Sequence, residues 1–327
     1  MSKENHFIHR TRAKRFDKPR IAIAGSEGFI GSRLTKSIPN EAYNITDVPR
    51  HLIDRRMENF VRDPKERFDL IFNCLKDCDF LINLAHSSYG SNARHPDHLA
   101  TASFSESLEI TAQLSTVAAK AKCVTIYISS GGTVYGNNLT HLTREDAQCE
   151  PTNMYGFSKQ IGEQILSHLH MHNELNYIIL RVSNIYGPGR RPKNGQGVIS
   201  YWIDSAIREK PLELLCDSES SADYIYISDV IQAILKTIET FKAHTGRISE
   251  IINIGSGEAS SLSNIIDILA SHFPGIKIIY CKEVLKSNHT PRKSCLDISK
   301  AQKLLGWKPQ VDLHEGIHRT IEWFTQS

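Results

Sequence analysis

Arg20-Ile21-Ala22-Ile23-Ala24-Gly25-Ser26-Glu27-Gly28-Phe29-Ile30-Gly31 is the stretch that decides the fold. A short apolar run goes straight into a glycine, the form of a strand buried on both faces. Phe29, Ile30 and Leu34 then recur at helical spacing, so a helix starts near Gly28. Working outward, apolar runs at 42–45, 80–84, 124–129 and 177–182 read as further strands, with helices over 107–121 and 155–172. Strand and helix alternating in this way make right-handed βαβ units and a parallel sheet. The expected fold is α/β, a Rossmann-type doubly wound parallel sheet.

Past Ile185 the pattern loosens into Tyr186-Gly187-Pro188-Gly189-Arg190-Arg191-Pro192, with a helix near 198–208 and a return to strands at 224–227 and 250–254. This predicts a Rossmann domain over 20–181 plus 224–255 and a smaller, interleaved C-terminal substrate domain over 182–223 plus 256–327. A basic flexible tail over 1–19 precedes them.

At 327 residues the chain builds a full core without disulfide staples. Apolar runs such as 177–180 are far shorter than a membrane helix, so no membrane span is expected. Seven scattered cysteines without a CxxC pair, and no apolar leader, predict a cytoplasmic protein. The net charge of +3 is uneven: residues 1–20 hold seven Lys/Arg against Glu4 and Asp17, leaving the body slightly acidic. Phosphate binding needs clustered Lys/Arg, so the body carries no nucleic-acid-binding face.

Gly25, Gly28 and Gly31 form a GxxGxxG turn. Such glycines permit a tight turn, close backbone approach to a pyrophosphate and close helix packing, and the helix N-terminus offers free N–H groups to the anion. Asp47 follows about 20 residues on, where an acid hydrogen-bonds the adenosine ribose, favouring NAD over NADP despite nearby Arg50, Arg55 and Arg56. Tyr155 and Lys159 stand one helical turn apart, a phenol beside an ammonium that favours its phenolate. Such a pair can take a proton from a sugar hydroxyl while NAD takes the hydride. Upstream, a strand runs into Ser129-Ser130-Gly131-Gly132-Thr133-Val134-Tyr135-Gly136, placing exposed hydroxyls at the sheet's carboxyl edge, where ligands bind.

These residues carry a resemblance. GxxGFIGS at 25–32, DFLINLAH at 79–86, SSGGTVYG at 129–136, PTNMYGFSK at 151–159 with Glu163, LRVSNIYGPG at 180–189, DYIYISDV at 223–230, INIGSGE at 252–258 and LLGWKP at 304–309 follow in order. The chain resembles the extended short-chain dehydrogenase/reductases of the NAD-dependent epimerase/dehydratase family, in motif style the UDP-glucose 4-epimerases. The resemblance implies that Gly25, Gly28, Phe29, Ile30 and Gly31 cradle the pyrophosphate and that Asp47 binds the ribose. It places Leu84, Ala85 and Ser129 beside the cofactor, and gives Lys159 the nicotinamide ribose. Tyr155 would be the acid/base and Asn184 a contact to the sugar nucleotide, with His86 facing the substrate. It also implies a homodimer and a place in polysaccharide precursor supply.

Three positions depart from that pattern. Gly131 stands where a hydroxyl partner of the tyrosine is usual, so Ser130 or Thr133 would take its place. Ala222 stands where an arginine usually grips the diphosphate, leaving Arg190, Arg191, Arg292 and Lys293 as candidate cations. Ser107 replaces a usual asparagine. His168, His170 and His172 lack an accompanying acid or thiol at a metal-site spacing, and no metal is expected. Cys74 and Cys78 read as ordinary thiols. The leading reading is a nucleotide-sugar C4 epimerase of a UDP-linked or related sugar. A 4,6-dehydratase or 4-keto-reductase on the same scaffold, and a catalytically silent NAD(H)-binding protein, are the alternatives.

Overall fold

The computed structural model describes residues 18–87, 97–136, 142–189, 192, 197–280 and 293–326. Its strands are β1 (Arg20–Ala24), β2 (Asn44–Val48), β3 (Phe80–Asn83), β4 (Val124–Ser130), β5 (Tyr177–Val182), β6 (Asn184–Tyr186), β7 (Leu212–Leu214), β8 (Ser221–Tyr226), β9 (Ser249–Ile254), β10 (Ala259–Ser261), β11 (Ile278–Tyr280) and β12 (Lys293–Ser294). The helices are α1 (Phe29–Ser37), α2 (Pro64–Leu75), α3 (Asp97–Ala121), α4 (Gly131–Val134), α5 (Met154–Asn173), α6 (Val198–Ile207), α7 (Ile227–Phe241), α8 (Leu262–His272), α9 (Ser299–Leu305) and α10 (Leu313–Gln326).

A six-stranded sheet runs β2-β1-β3-β4-β5-β9, every pairing parallel. The chain is an α/β protein of the doubly wound type. Side chains of β1 alternate between two apolar layers: Ile21 and Ile23 pack with Leu34, Ile82 and Ile178, whereas Ala22 and Ala24 pack with Leu81, Leu114 and Ile179. Both faces are covered, which is why the strand reads as an unbroken apolar run. The order reverses at β1, with β2 on one side and β3 on the other, so a crevice opens at their carboxyl ends.

The two returning strands fare differently. β9 pairs with β5 and completes the central sheet, whereas residues 224–226 lie in β8 and join a second, four-stranded sheet with β6, β10 and β12. Asp223 decides this placement: its buried carboxylate accepts from the Ser256 N–H and hydroxyl at 2.7 and 2.8 Å and from the Gly257 and Leu296 N–H groups at 3.3 Å. An apolar run says that a strand is buried, not which sheet takes it.

Helix α3 begins ten residues earlier than its apolar periodicity predicts. The extra turns bury Ser103, whose hydroxyl donates to the Ser87 carbonyl at 3.0 Å, and at the next turn Ser107 accepts the Ser87 N–H at 3.2 Å. Ser107 thus does the local work of holding the chain after β3.

Candidate active site

The glycine turn closes as expected, with the Gly28 N–H donating to the Gly25 carbonyl at 3.1 Å. Gly25 has a φ of +87°, and a Cβ there would meet the Leu84 and Ala85 backbone at 3.0 Å. A Cβ on Gly31 would drive into the Gly25 carbonyl and into Ser26 at 2.7 Å. Only glycine fits at either position. Helix α1 opens at Gly28 with no side-chain cap and no acid in its first turn, so no carboxylate opposes an anion at the positive end of its dipole. This cradle suits the pyrophosphate of a dinucleotide. Phe29 and Ile30 follow it, half-buried.

Asp47 lies exposed near the end of β2, in register with Ile23. The arginines behind it are engaged elsewhere. Arg50 pairs with Asp54 at 2.9 Å and Glu27 at 3.3 Å, Arg56 with Asp54 at 2.7 Å, and Arg55 with Glu109. These two guanidinium groups hold the Asp54 carboxyl down at about 2, Arg56 contributing most.

The second half of the site stands on β4, α4 and α5. Asn153 caps α5, its side chain accepting the Gly156 N–H at 2.8 Å, which fixes the turn that carries Tyr155. Tyr155 is half-buried. Lys159 is buried one turn on: its Nζ donates to the Ile128 carbonyl at 2.9 Å and lies 5.9 Å from the centre of the Tyr155 ring. Burial lowers the lysine from 10.5 to about 7, against the opposing pull of Glu163. His86, at the end of β3 beyond Leu84 and Ala85, places its ring edge-on to Tyr155 at 5.0 Å and its Nε2 3.0 Å from the Ser158 hydroxyl. Tyr155, Lys159, His86 and the end of β4 thus converge beside the crevice.

Ser129 corrects an expectation. Its hydroxyl is buried rather than exposed at the sheet edge, donating to Glu163 at 2.5 Å. Ser130 and Thr133 are half-buried, and the Thr133 hydroxyl is only 3.5 Å from the Ser130 carbonyl, the long limit of a hydrogen bond. Gly131 has a packing reason: a Cβ would strike Leu296 at 2.6 Å and the Arg181 carbonyl at 3.0 Å. A side chain there would have to push the Leu296 methyl groups aside and crowd the Arg181 carbonyl. At Gly132 a Cβ would meet the Asn184 amide at 3.2 Å, and that amide donates to the Asp223 carbonyl at 2.9 Å.

Ala222 pairs with Ser260 and Ser294 inside the small sheet, and exposed Lys293 is the next residue along β12. Arg190, Arg191 and Arg292 lie outside the described residues, as does the tail before residue 18. His170 contacts the Leu175 carbonyl and His168 pairs its ring with His172 at 4.5 Å; among the described residues no group of three ligand side chains is placed to hold a metal. The Cys78 thiol donates to the Cys74 carbonyl at 3.2 Å, and burial pushes it up to about 11. No helix of the described residues is long and apolar enough to cross a membrane.

A group that the sequence reading used only as motif letters supports the site from behind. Arg181 on β5 grips Glu163 with a shortest contact of 2.6 Å and donates to the Tyr135 hydroxyl at 2.9 Å, which donates in turn to Asn253 at 2.8 Å. A lone arginine in the otherwise apolar strand Tyr177–Val182 is the signal that marks it, since a charge buried there must be paired.

A doubly wound sheet with this glycine cradle at its switch point, and a tyrosine and lysine one helical turn apart beside it, is the architecture of an extended short-chain dehydrogenase/reductase. The family model described as the NAD-dependent epimerase/dehydratase family matches residues 21–255, and the chain belongs to that family. NAD is its cofactor.

A Methanocaldococcus jannaschii protein provisionally assigned as a UDP-glucose 4-epimerase is 29% identical over 320 residues, covering 93% of this chain and 97% of its own. A dTDP-4-dehydro-6-deoxyglucose reductase of Escherichia coli is 36% identical over 197 residues, 60% of each chain. The solved UDP-glucuronic acid 4-epimerase of Bacillus cereus, in complex with UDP-glucuronic acid and NAD, superposes with a TM-score of 0.75 at 27% identity, covering 94% of this chain and 99% of that one.

Proposed function

We propose that the chain is a nucleotide-sugar epimerase working at C4 of a UDP-linked or related sugar. The observation that carries this reading is the Tyr155–Lys159 pair at the open end of the parallel sheet, beside the glycine cradle. Bound NAD supplies a reversible hydride acceptor. Tyr155 takes the proton of the 4-hydroxyl as the carbonyl forms and returns it after the sugar has turned, so one acid/base group serves both directions. Protonated Lys159 favours the phenolate, and Lys159 holds the nicotinamide ribose. Gly25, Gly28, Phe29, Ile30 and Gly31 would hold the pyrophosphate, Asp47 the adenosine ribose, and Leu84 and Ala85 the nicotinamide side. Ser130 or Thr133 supplies the hydroxyl relay, Asn184 contacts the nucleotide part of the donor, and Arg190, Arg191, Arg292 or Lys293 supplies the charge for its diphosphate.

The test is proton NMR with UDP-, GDP- and dTDP-sugars in D₂O, without added cofactor. A C4 epimer free of solvent deuterium is expected, and Tyr155→Phe should lower the rate by at least about 100-fold while NAD stays bound. Full activity in that variant would sink the mechanism. The similarity to the Escherichia coli reductase favours a second reading, 4-keto-sugar reduction, which would instead consume stoichiometric reduced cofactor. The described cysteines form no disulfide with one another, in keeping with our reading of a cytoplasmic protein. We also read the chain as a homodimer built on α3 and α5, in line with the exposed Met154 and Phe157 side chains.

A further inference from the structure

We propose that His86 is a positioning residue for Tyr155, fixing the phenol rather than moving its proton; the role rests on the epimerase reading above. The hydrogen-bond directions carry the argument. Ser158 has a single hydroxyl proton, which it donates to the Tyr155 carbonyl at 2.7 Å. With that proton committed, the serine oxygen accepts in the 3.0 Å contact with His86, and we take the imidazole proton to sit on Nε2, the tautomer that the ¹⁵N spectrum below tests against one donating to the Ser87 backbone. The path from His86 through Ser158 ends at a main-chain carbonyl, which neither gives nor takes a proton under these conditions. It cannot reach the phenol oxygen.

What the imidazole does instead is hold the tyrosine twice. Its ring meets the Tyr155 ring at 5.0 Å and 73°, and through Ser158 it ties down the Tyr155 backbone. Burial, with Lys159 beside it, keeps the ring well below the usual histidine value, so it stays neutral and adds no second charge next to the lysine. Because His86 directly follows Leu84 and Ala85, this contact also joins the end of β3 to the first turn of α5. The cofactor side of the crevice and the tyrosine are thereby set in one frame. A small displacement of a reacting group costs up to about 100-fold in rate, which is what such a frame prevents.

Three variants and one spectrum test the role. His86→Ala should lower kcat about 10-fold with KM and NAD affinity within about 2-fold of the parent, and with the shape of the kcat–pH profile unchanged. His86→Gln, whose amide N–H reaches Ser158 from a similar distance, should recover most of that loss. Loss of a limb from the pH profile in His86→Ala would assign proton transfer and overturn the proposal, as would an unchanged kcat.

Independently of turnover, ¹⁵N NMR of the histidine-labelled protein at pH 7 should show a neutral His86 carrying its proton on Nε2, assigned by its absence in His86→Gln. That signature should change in Ser158→Ala. An imidazolium, or a proton on Nδ1, refutes the inference even in a protein that turns over no nucleotide sugar. Inactivity alone would count against the proposed function and leave the tautomer result to decide.

Discussion

Lys159 sits where a charge is costly, buried with its Nζ on the Ile128 carbonyl, and burial brings it from 10.5 down to about 7. Between those values the unfolded chain binds a proton that the folded chain does not. Stability contributed at this residue therefore rises with pH across that window and levels off below about pH 7. Urea denaturation of the parent and of Lys159→Met at saturating NAD should show the parent gaining on the variant from pH 7 to pH 9; parallel curves would refute the shift. The Tyr155–Lys159 spacing was legible in the sequence because helical periodicity is local. The reason for Gly131 was not, since the Leu296 side chain that fills its space comes from far along the chain and only the folded core brings it there.

At the scale of elements, α5 is held by contacts that repeat every turn along its inner face. Lys159 reaches the end of β4, Gly162 lets the helix approach Tyr127, whose ring carbon would lie 2.9 Å from a Cβ there, and Glu163 meets Arg181 on β5. The last contact is a buried pair in which Glu163 also accepts from Ser129. Removing one partner strands the other charge, so Glu163→Gln should cost about 3–5 kcal/mol of unfolding free energy, read from urea denaturation. Glu163→Leu with Arg181→Met should cost clearly less, because no charge is left unpaired, and equal losses would show that the pair itself stabilises the helix. Such faces are half visible in a sequence. Residues 155, 159 and 163 fall on one side of a helix by spacing alone, and Arg181 is conspicuous in its apolar strand, but which buried charge meets which is a tertiary fact. The same limit hid the fate of 224–226: burial was readable, but the pairing of β8 with β6, β10 and β12, alongside the hydrogen bonds of Asp223, is tertiary.

For the whole molecule, the α3–α5 pair would do two jobs in the proposed homodimer. Phe157 lies two residues beyond Tyr155, 41% exposed, and stacks on Phe104 of α3 at 5.6 Å, with Met154 exposed beside it. Apolar side chains exposed to water carry a hydration cost that contact with a second copy would remove, and in the proposed homodimer two helices per chain would pack as a four-helix bundle. Light scattering after gel filtration should therefore give twice the mass of one chain. Phe157→Glu places a carboxylate in that seam and should give one chain mass at micromolar concentration. Because Phe157 shares the capped first turn of α5 with Tyr155 and Ser158, the same variant should lower kcat as the turn loosens, with NAD affinity held by the glycine cradle on a different helix. A monomeric Phe157→Glu protein with undiminished kcat would show that the turn is set within one chain by Asn153, Ser158 and His86. A parent protein that is monomeric at high concentration would remove the seam altogether.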